Sequence, residues 1–383
     1  MKKELIYLDH AAATPLDKNV LKAMMPYFSD TFFNPSSPYQ PAIAVRRAYN
    51  DAKHKIAEII GVQPAEIVIT AGATESINLA FNHVKGHVVT TAVEHPAVIE
   101  AASHHDATFV SVDTNGRVDL EALQAAITPQ TELMSIGLAN SEIGTIQPLR
   151  DIAEIVKKER LHRQENGNKT PIYFHSDASQ GVGQLDVQVT RLGVDMLTLN
   201  AGKMYGPKQV GLLYASRQIH LVPTIVGGGQ ENGKRSGTEN VAGTIGFAEA
   251  LEQVSRHRKT EVQRLTKLRD EIERTICNEF SDTIVSGHPK HRLAGHTHIS
   301  FPGVDAERLV FLLEAENILV ATGSACAANK GTRSHVLEAI GLEPEIADGS
   351  LRITLGKLST DENCQTAAIA IIEAVKKEKA RQL

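Results

Sequence analysis

Residues 194–215 read VDMLTLNAGKMYGPKQVGLLYA. Two short apolar runs, VDMLTLNA and VGLLYA, enclose a segment of Gly, Pro, Asn and Lys. Each run has the length and residue choice of a buried strand. The first delivers Lys203 at its end, amid small residues. A lysine held there, away from bulk solvent, suits Schiff-base chemistry with a carbonyl compound. The alternative is a solvated loop lysine, as many beside glycine are.

The same pattern extends outward in both directions. AEIVIT, GHVVTTAV, ATFVSVD, ELMSIGLAN and TPIYFHSDA also read as buried strands, and amphipathic stretches such as DLEALQAAI and LRDIAEIVKKERLHRQ lie between them. Strand–helix alternation predicts an α/β fold with a mostly parallel central sheet, whose ligands gather at the carboxyl ends of the strands. Beyond it come a long charged helical pattern over roughly 240–280, then HISFPGV, DAERLVFLLEAEN, ILVATG and SLRITLG before a final helix. That order predicts a smaller α+β domain. The expected division is 14–255 for the large domain and 256–383, with 1–13, for the small one.

Composition narrows the function classes. Of 383 residues, 42% are hydrophobic and 22% charged, and 40 basic against 45 acidic side chains leave a formal charge of −5. This balance argues against nucleic acid or an anionic membrane as the main partner. No apolar run approaches the eighteen or so residues of a membrane span, and the N-terminus lacks the apolar core of a secretory signal. Cys277, Cys326 and Cys364 are widely spaced and form neither a disulfide framework nor a metal pair, which fits a reducing cytoplasm. Cys277 and Cys364 sit in helical patterns. Cys326 differs, because VATGSACAANKGTRSHVLEAIG surrounds it with Ala, Gly, Ser and Asn, the composition of a loop carrying a thiol.

Other polar residues fall at strand ends. Ala73 and Thr74 follow AEIVIT at a helix start, which favours either a phosphate or plain capping. Asp177 ends TPIYFHSDA, with Gln180 beyond it; the carboxylate suits a cap, a metal or a ring nitrogen. Together, Asp177 and Lys203 are the pair that pyridoxal 5′-phosphate (PLP) chemistry requires. His95 stands at a strand–helix junction, where it can stack on a flat ring, shuttle protons, or simply begin the helix. The glycine-rich VGGGQENGKRSGTENVAG, holding Thr238, suits an anion or a subunit interface. HPKHRLAGHTH has four histidines without ligand spacing and is expected to be an ordinary loop, so no metal site is predicted.

These motifs, in this order, resemble the class V, fold-type I PLP enzymes and, among them, the cysteine desulfurases of the NifS/IscS type. The resemblance runs from YLDHAAATPLD through GATESINLA, EHPAV, NSEIGTIQP, HSDASQGVG, GKMYGPKQVG and GGGQENGKRSGTEN to TGSACAANKGTRSHVLEAIG and LRITLG. It implies that Lys203 holds PLP, Asp177 pairs with the ring nitrogen, Gln180 donates to the ring hydroxyl and His95 stacks on the ring. Ala73, Thr74, Asn200 and Gly202 match phosphate-loop positions, and Thr238 matches a residue reaching the phosphate from a second subunit, implying a homodimer. Arg352, with Asn140, matches the grip on the substrate carboxylate, and Ser141 a position beside the cofactor. Cys326 matches the nucleophile that takes sulfur from L-cysteine as a persulfide and passes it to an acceptor protein for iron–sulfur clusters or tRNA thiolation. His335 and Lys330 are candidates for tuning its thiolate. Asn200-Ala201-Gly202 replaces the family's Ser-Gly-His, and Ser141 its second Asn. Rival readings are a class V aminotransferase, a selenocysteine lyase, or a poorly active homologue that binds a scaffold.

Overall fold

The computed structural model describes residues 4–323 and 333–382. Cys326 and Lys330 lie outside the described residues. The central sheet has seven strands: β2 (Ile67–Thr70), β3 (His87–Thr91), β4 (Ala107–Val110), β5 (Thr131–Ser135), β6 (Tyr173–Asp177), β7 (Met196–Asn200) and β8 (Gly211–Ala215). Their order is β2-β8-β7-β6-β5-β3-β4. All run parallel except β8, which is antiparallel to both its neighbours. Helices cover both faces, so β2, β3 and β8 are buried along their whole length, and that is why their sequences lack polar alternation.

Two glycines set the crossing at the end of β2. Gly72 has φ 141° and ψ 176°, open to glycine only, and precedes the helix Ala73–Asn82. Gly211, on β8, passes so close that a Cβ there would lie 2.6 Å from the Gly72 Cα. The bare backbone keeps the helix start accessible.

A four-stranded antiparallel sheet has the order β12 (Ala321–Thr322), β13 (Ser350–Thr354), β10 (His296–Ser300), β9 (Ile284–Ser286). The segment read as one strand, ILVATG, is divided. Its first half, β11 (Ile318–Leu319), pairs in parallel with β1 (Ile6–Tyr7), and its second half joins β13. The helix Val241–Glu279 belongs to both cores. Phe247, Leu251 and Val254 pack with the large sheet, whereas Leu265, Leu268, Ile272 and Ile276 pack with Ile6, Leu8 and the small sheet.

The histidine-rich stretch corrects the sequence reading. His296 and His298 are fully buried residues of β10, on the face shared by their cross-strand partners Thr354 and Arg352. Only His288 and His291 fit the expected loop. The opposite face, with Ile299, Leu351 and Ile353, supplies the apolar packing that places the strand.

Candidate active site

The carboxyl ends of β2, β3, β5, β6 and β7 surround a cavity of about 160 Å³. Ala73, Thr74, His95, Asn140, Ser141, Asp177, Gln180, Asn200 and Lys203 line it, so nine of the predicted residues converge there. Three do not. Gly202 is tied from its N–H to Asn200 Oδ1 at 3.0 Å, and its carbonyl accepts from Thr14. Thr238 is exposed in the glycine-rich loop, away from its own chain's cavity. Arg352 is buried on β13, outside the cavity lining, and donates to Asp9 Oδ1 at 2.8 Å.

Lys203 arrives on a short 3-10 turn, Ala201–Lys203, directly after β7. Its Nζ donates to the carbonyls of Ala11 (2.6 Å) and Ala12 (2.8 Å), and Gln180 Nε2 donates to the same Ala11 oxygen at 3.1 Å. The N-terminal turn is thereby a mooring for the lysine. Asp177, the last residue of β6, accepts at one oxygen from the Ser179 N–H at 2.9 Å.

His95 caps the helix Pro96–Ser103, its Nδ1 accepting from the Ala97 N–H at 3.1 Å. In neutral imidazole the proton is then on Nε2. His95 lines the cavity and is solvent-exposed. Desolvation lowers its pKa, with Lys203 and His335 adding to the effect and Asp177 opposing it. Asn140 is a strut: its amide donates to the Val93 carbonyl, and its oxygen accepts from the N–H groups of Glu142 and Ile143.

Two buried carboxylates escaped the sequence reading. Glu94 accepts from Thr91 Oγ1 and the Gly137 N–H, and burial pushes its pKa to about 7. Glu142 accepts from Ser334 Oγ at 2.5 Å, and burial raises its pKa against the pull of Ser334, Arg352 and His335. His335 Nε2 lies 2.9 Å from the Glu94 carbonyl oxygen. Glu142 sits in NSEIG, and its only sequence signal was a charge inside an otherwise small and apolar turn.

The donors fit PLP. The 10-residue helix Ala73–Asn82 presents free N–H groups and the positive end of its dipole to an anion, with Thr74 at its start. A carboxylate, an amide, an imidazole and an amine occupy the remaining walls. Ser179 Oγ is buried at the cavity without a hydrogen-bond partner among the described residues, as a site awaiting a ligand would leave it.

A parallel-sheet fold whose strand ends gather a lysine, an aspartate and a helix N-terminus has the donor set that a phosphate-bearing aldehyde cofactor needs. The comparisons agree. The model of the aminotransferase class-V family matches residues 6–366. Cysteine desulfurase IscS of Dictyoglomus turgidum is 42% identical over 375 residues, covering 95% of this chain and 92% of that protein. Cysteine desulfurase IscS 1 of Archaeoglobus fulgidus is 39% identical, covering 93% of each. Among solved structures, a NifS-like protein superimposes with a TM-score of 0.89 at 33% identity, covering 98% of this chain and all of the other. The chain belongs to the class-V aminotransferase family, and it is an enzyme with PLP as its cofactor.

Proposed function

We propose that this protein is a cysteine desulfurase, converting L-cysteine to L-alanine and passing the sulfur, as a persulfide on Cys326, to an acceptor protein. The observation that carries the reading is the convergence of Lys203, Asp177, His95 and Gln180 on one cavity. The full-length similarity to cysteine desulfurases supports it.

Lys203 would hold the cofactor's aldehyde carbon, Asp177 the ring nitrogen, Gln180 the ring hydroxyl and His95 the ring face. Ala73 and Thr74, with Asn200, Gly202 and Ser141 nearby, would receive the phosphate and ring edge. When bound, PLP supplies an electron sink for charge developing at the substrate α-carbon. Arg352 and Asn140 orient the substrate carboxylate, and Lys203 Nζ moves the α-proton. His95, with its proton on Nε2, would serve as a proton donor in the same cavity. Cys326 attacks the substrate sulfur as thiolate; the carbon–sulfur bond breaks, its electron pair stays with the amino acid, and protonation gives alanine.

The working form would be a cytoplasmic homodimer of two-domain chains divided at 255/256. Thr238, exposed on its own chain, would complete the partner's phosphate site. The persulfide would serve iron–sulfur cluster assembly or tRNA thiolation.

The test is the product ratio. Purified protein with L-cysteine and a thiol reductant should release alanine and sulfide one for one, and Lys203→Ala should lose both visible absorbance and turnover. Alanine-free transamination to a keto acid would instead favour the aminotransferase reading.

A further inference from the structure

The helix Ala73–Asn82 carries an acidic side chain on the very turn expected to meet the cofactor phosphate. Glu75 folds back over that turn, its Oε2 accepting from the Ala71 N–H at 2.7 Å. A carboxylate suits the positive end of an empty helix. It opposes a phosphate arriving at the same end, because a phosphate monoester brings about 1.5–2 negative charges of its own at pH 7.

The cavity does little to offset this repulsion. Among the described residues that line it, Lys203 is the only lysine or arginine, and its amine is committed to the cofactor's aldehyde. Glu94 and Asp177, both acidic, line the same cavity. Desolvation biases His95 towards its neutral form.

The compensating charge comes from outside the cavity. Arg235, in the glycine-rich loop, donates from Nε to Glu75 Oε1 at 2.9 Å and from Nη2 to Oε2 at 3.4 Å. The two side chains are only 24% and 16% exposed, so solvent and salt screen the pair less than they would at an open surface. The loop is tied down on both sides of the arginine. Before it, Glu231 receives Lys53, the Tyr49 hydroxyl and the Ile69 N–H. After it, the Gly237 N–H donates to Gln230 Oε1 at 2.9 Å. Neither Arg235 nor Glu75 lines the cavity, so any influence on the cofactor acts through charge rather than contact.

We propose that Arg235 is a positioning residue for the cofactor phosphate: it neutralises Glu75, so that the N–H groups at Ala73 and Thr74 meet the phosphate without a competing negative charge. This role rests on the phosphate lying at that helix start, and it holds whichever amino acid the enzyme converts.

PLP and pyridoxal, which has the same ring and aldehyde but no phosphate, are titrated into the full-length, cofactor-stripped chain and followed by visible absorbance. The unaltered chain should prefer PLP. Arg235→Ala should weaken PLP binding about tenfold, the scale of one partly screened charge, and leave pyridoxal binding unchanged. Arg235→Ala combined with Glu75→Gln lacks the ion pair altogether, yet should recover the PLP affinity of the unaltered chain. A loop tether without an electrostatic role would not be rescued in this way. If Arg235→Ala fails to fold, Glu75→Gln alone decides, and it should bind PLP more tightly than the unaltered chain. Equal losses of PLP and pyridoxal binding in Arg235→Ala, a double variant as weak as the single one, or Glu75→Gln binding PLP no more tightly would each overturn the proposal. An unaltered chain without preference for PLP over pyridoxal would remove the phosphate from the helix start and the proposal with it. A preference that persists in full in Arg235→Ala would overturn the role of Arg235 alone.

Discussion

Glu94 offers a sharp test of the site's electrostatics. Its carboxyl is wholly buried, and desolvation, aided weakly by Asp177, lifts its pKa from the ordinary 4.5 to about 7 despite donors from Thr91 and Gly137. Because the folded-state value exceeds the unfolded one, the folded chain binds the proton more tightly. The stabilisation is complete below pH 4.5 and is lost as pH rises through 7. That interval corresponds to about 3 kcal/mol. Glu94→Gln keeps an acceptor oxygen for Thr91 and Gly137 but never ionises. The cofactor-free variant should match the parent at pH 5 and exceed it by about 2–3 kcal/mol at pH 8, on the order of 5 °C in melting temperature. Thermal unfolding of both proteins across this range provides the comparison. A parent as stable at pH 8 as at pH 5, or a constant gap between the two proteins, would refute the reasoning.

Other perturbations probe other parts of the structure. Glu231 is almost fully buried and receives Lys53, the Tyr49 hydroxyl and the Ile69 N–H. Glu231→Ala should leave the buried Lys53 ammonium unpaired and cost about 3–5 kcal/mol in denaturant unfolding; a loss below 1 kcal/mol would contradict that pairing. Cys364 is buried, and its thiol is pushed up to about 11, chiefly by desolvation. Iodoacetamide at pH 8 should therefore modify it only after unfolding, as read by mass spectrometry. Arg352→Lys should raise KM for the amino acid at least tenfold, because a point charge cannot serve Asp9 and a substrate carboxylate together. An unchanged KM would remove Arg352 from the substrate grip.

The fold was largely legible in the sequence because its central strands are buried on both faces and read as continuous apolar runs between amphipathic helices. Lys203 and Asp177 stood out for the same reason: each is a polar residue ending an apolar run. The small sheet was harder to read. His296 and His298 sit where a half-buried strand would show apolar alternation, yet both faces of β10 are buried and one is polar, so the stretch resembled a loop. The mooring of Lys203 by Ala11 and Ala12 is invisible in sequence, since backbone carbonyls carry no residue signature. Glu94 and Glu142 were missed because a lone carboxylate in a turn is ordinarily solvated, and only the packing of Gly137 and Ser334 reveals otherwise.

In the proposed reaction, sulfur leaves L-cysteine through Cys326. The direct measurement is sulfide and alanine production from L-cysteine, with a reductant present, by the unaltered protein and by Cys326→Ala at matched cofactor absorbance. The two proteins should be equally coloured, and the variant should lose both products. Undiminished sulfide from a fully coloured Cys326→Ala protein would contradict that route.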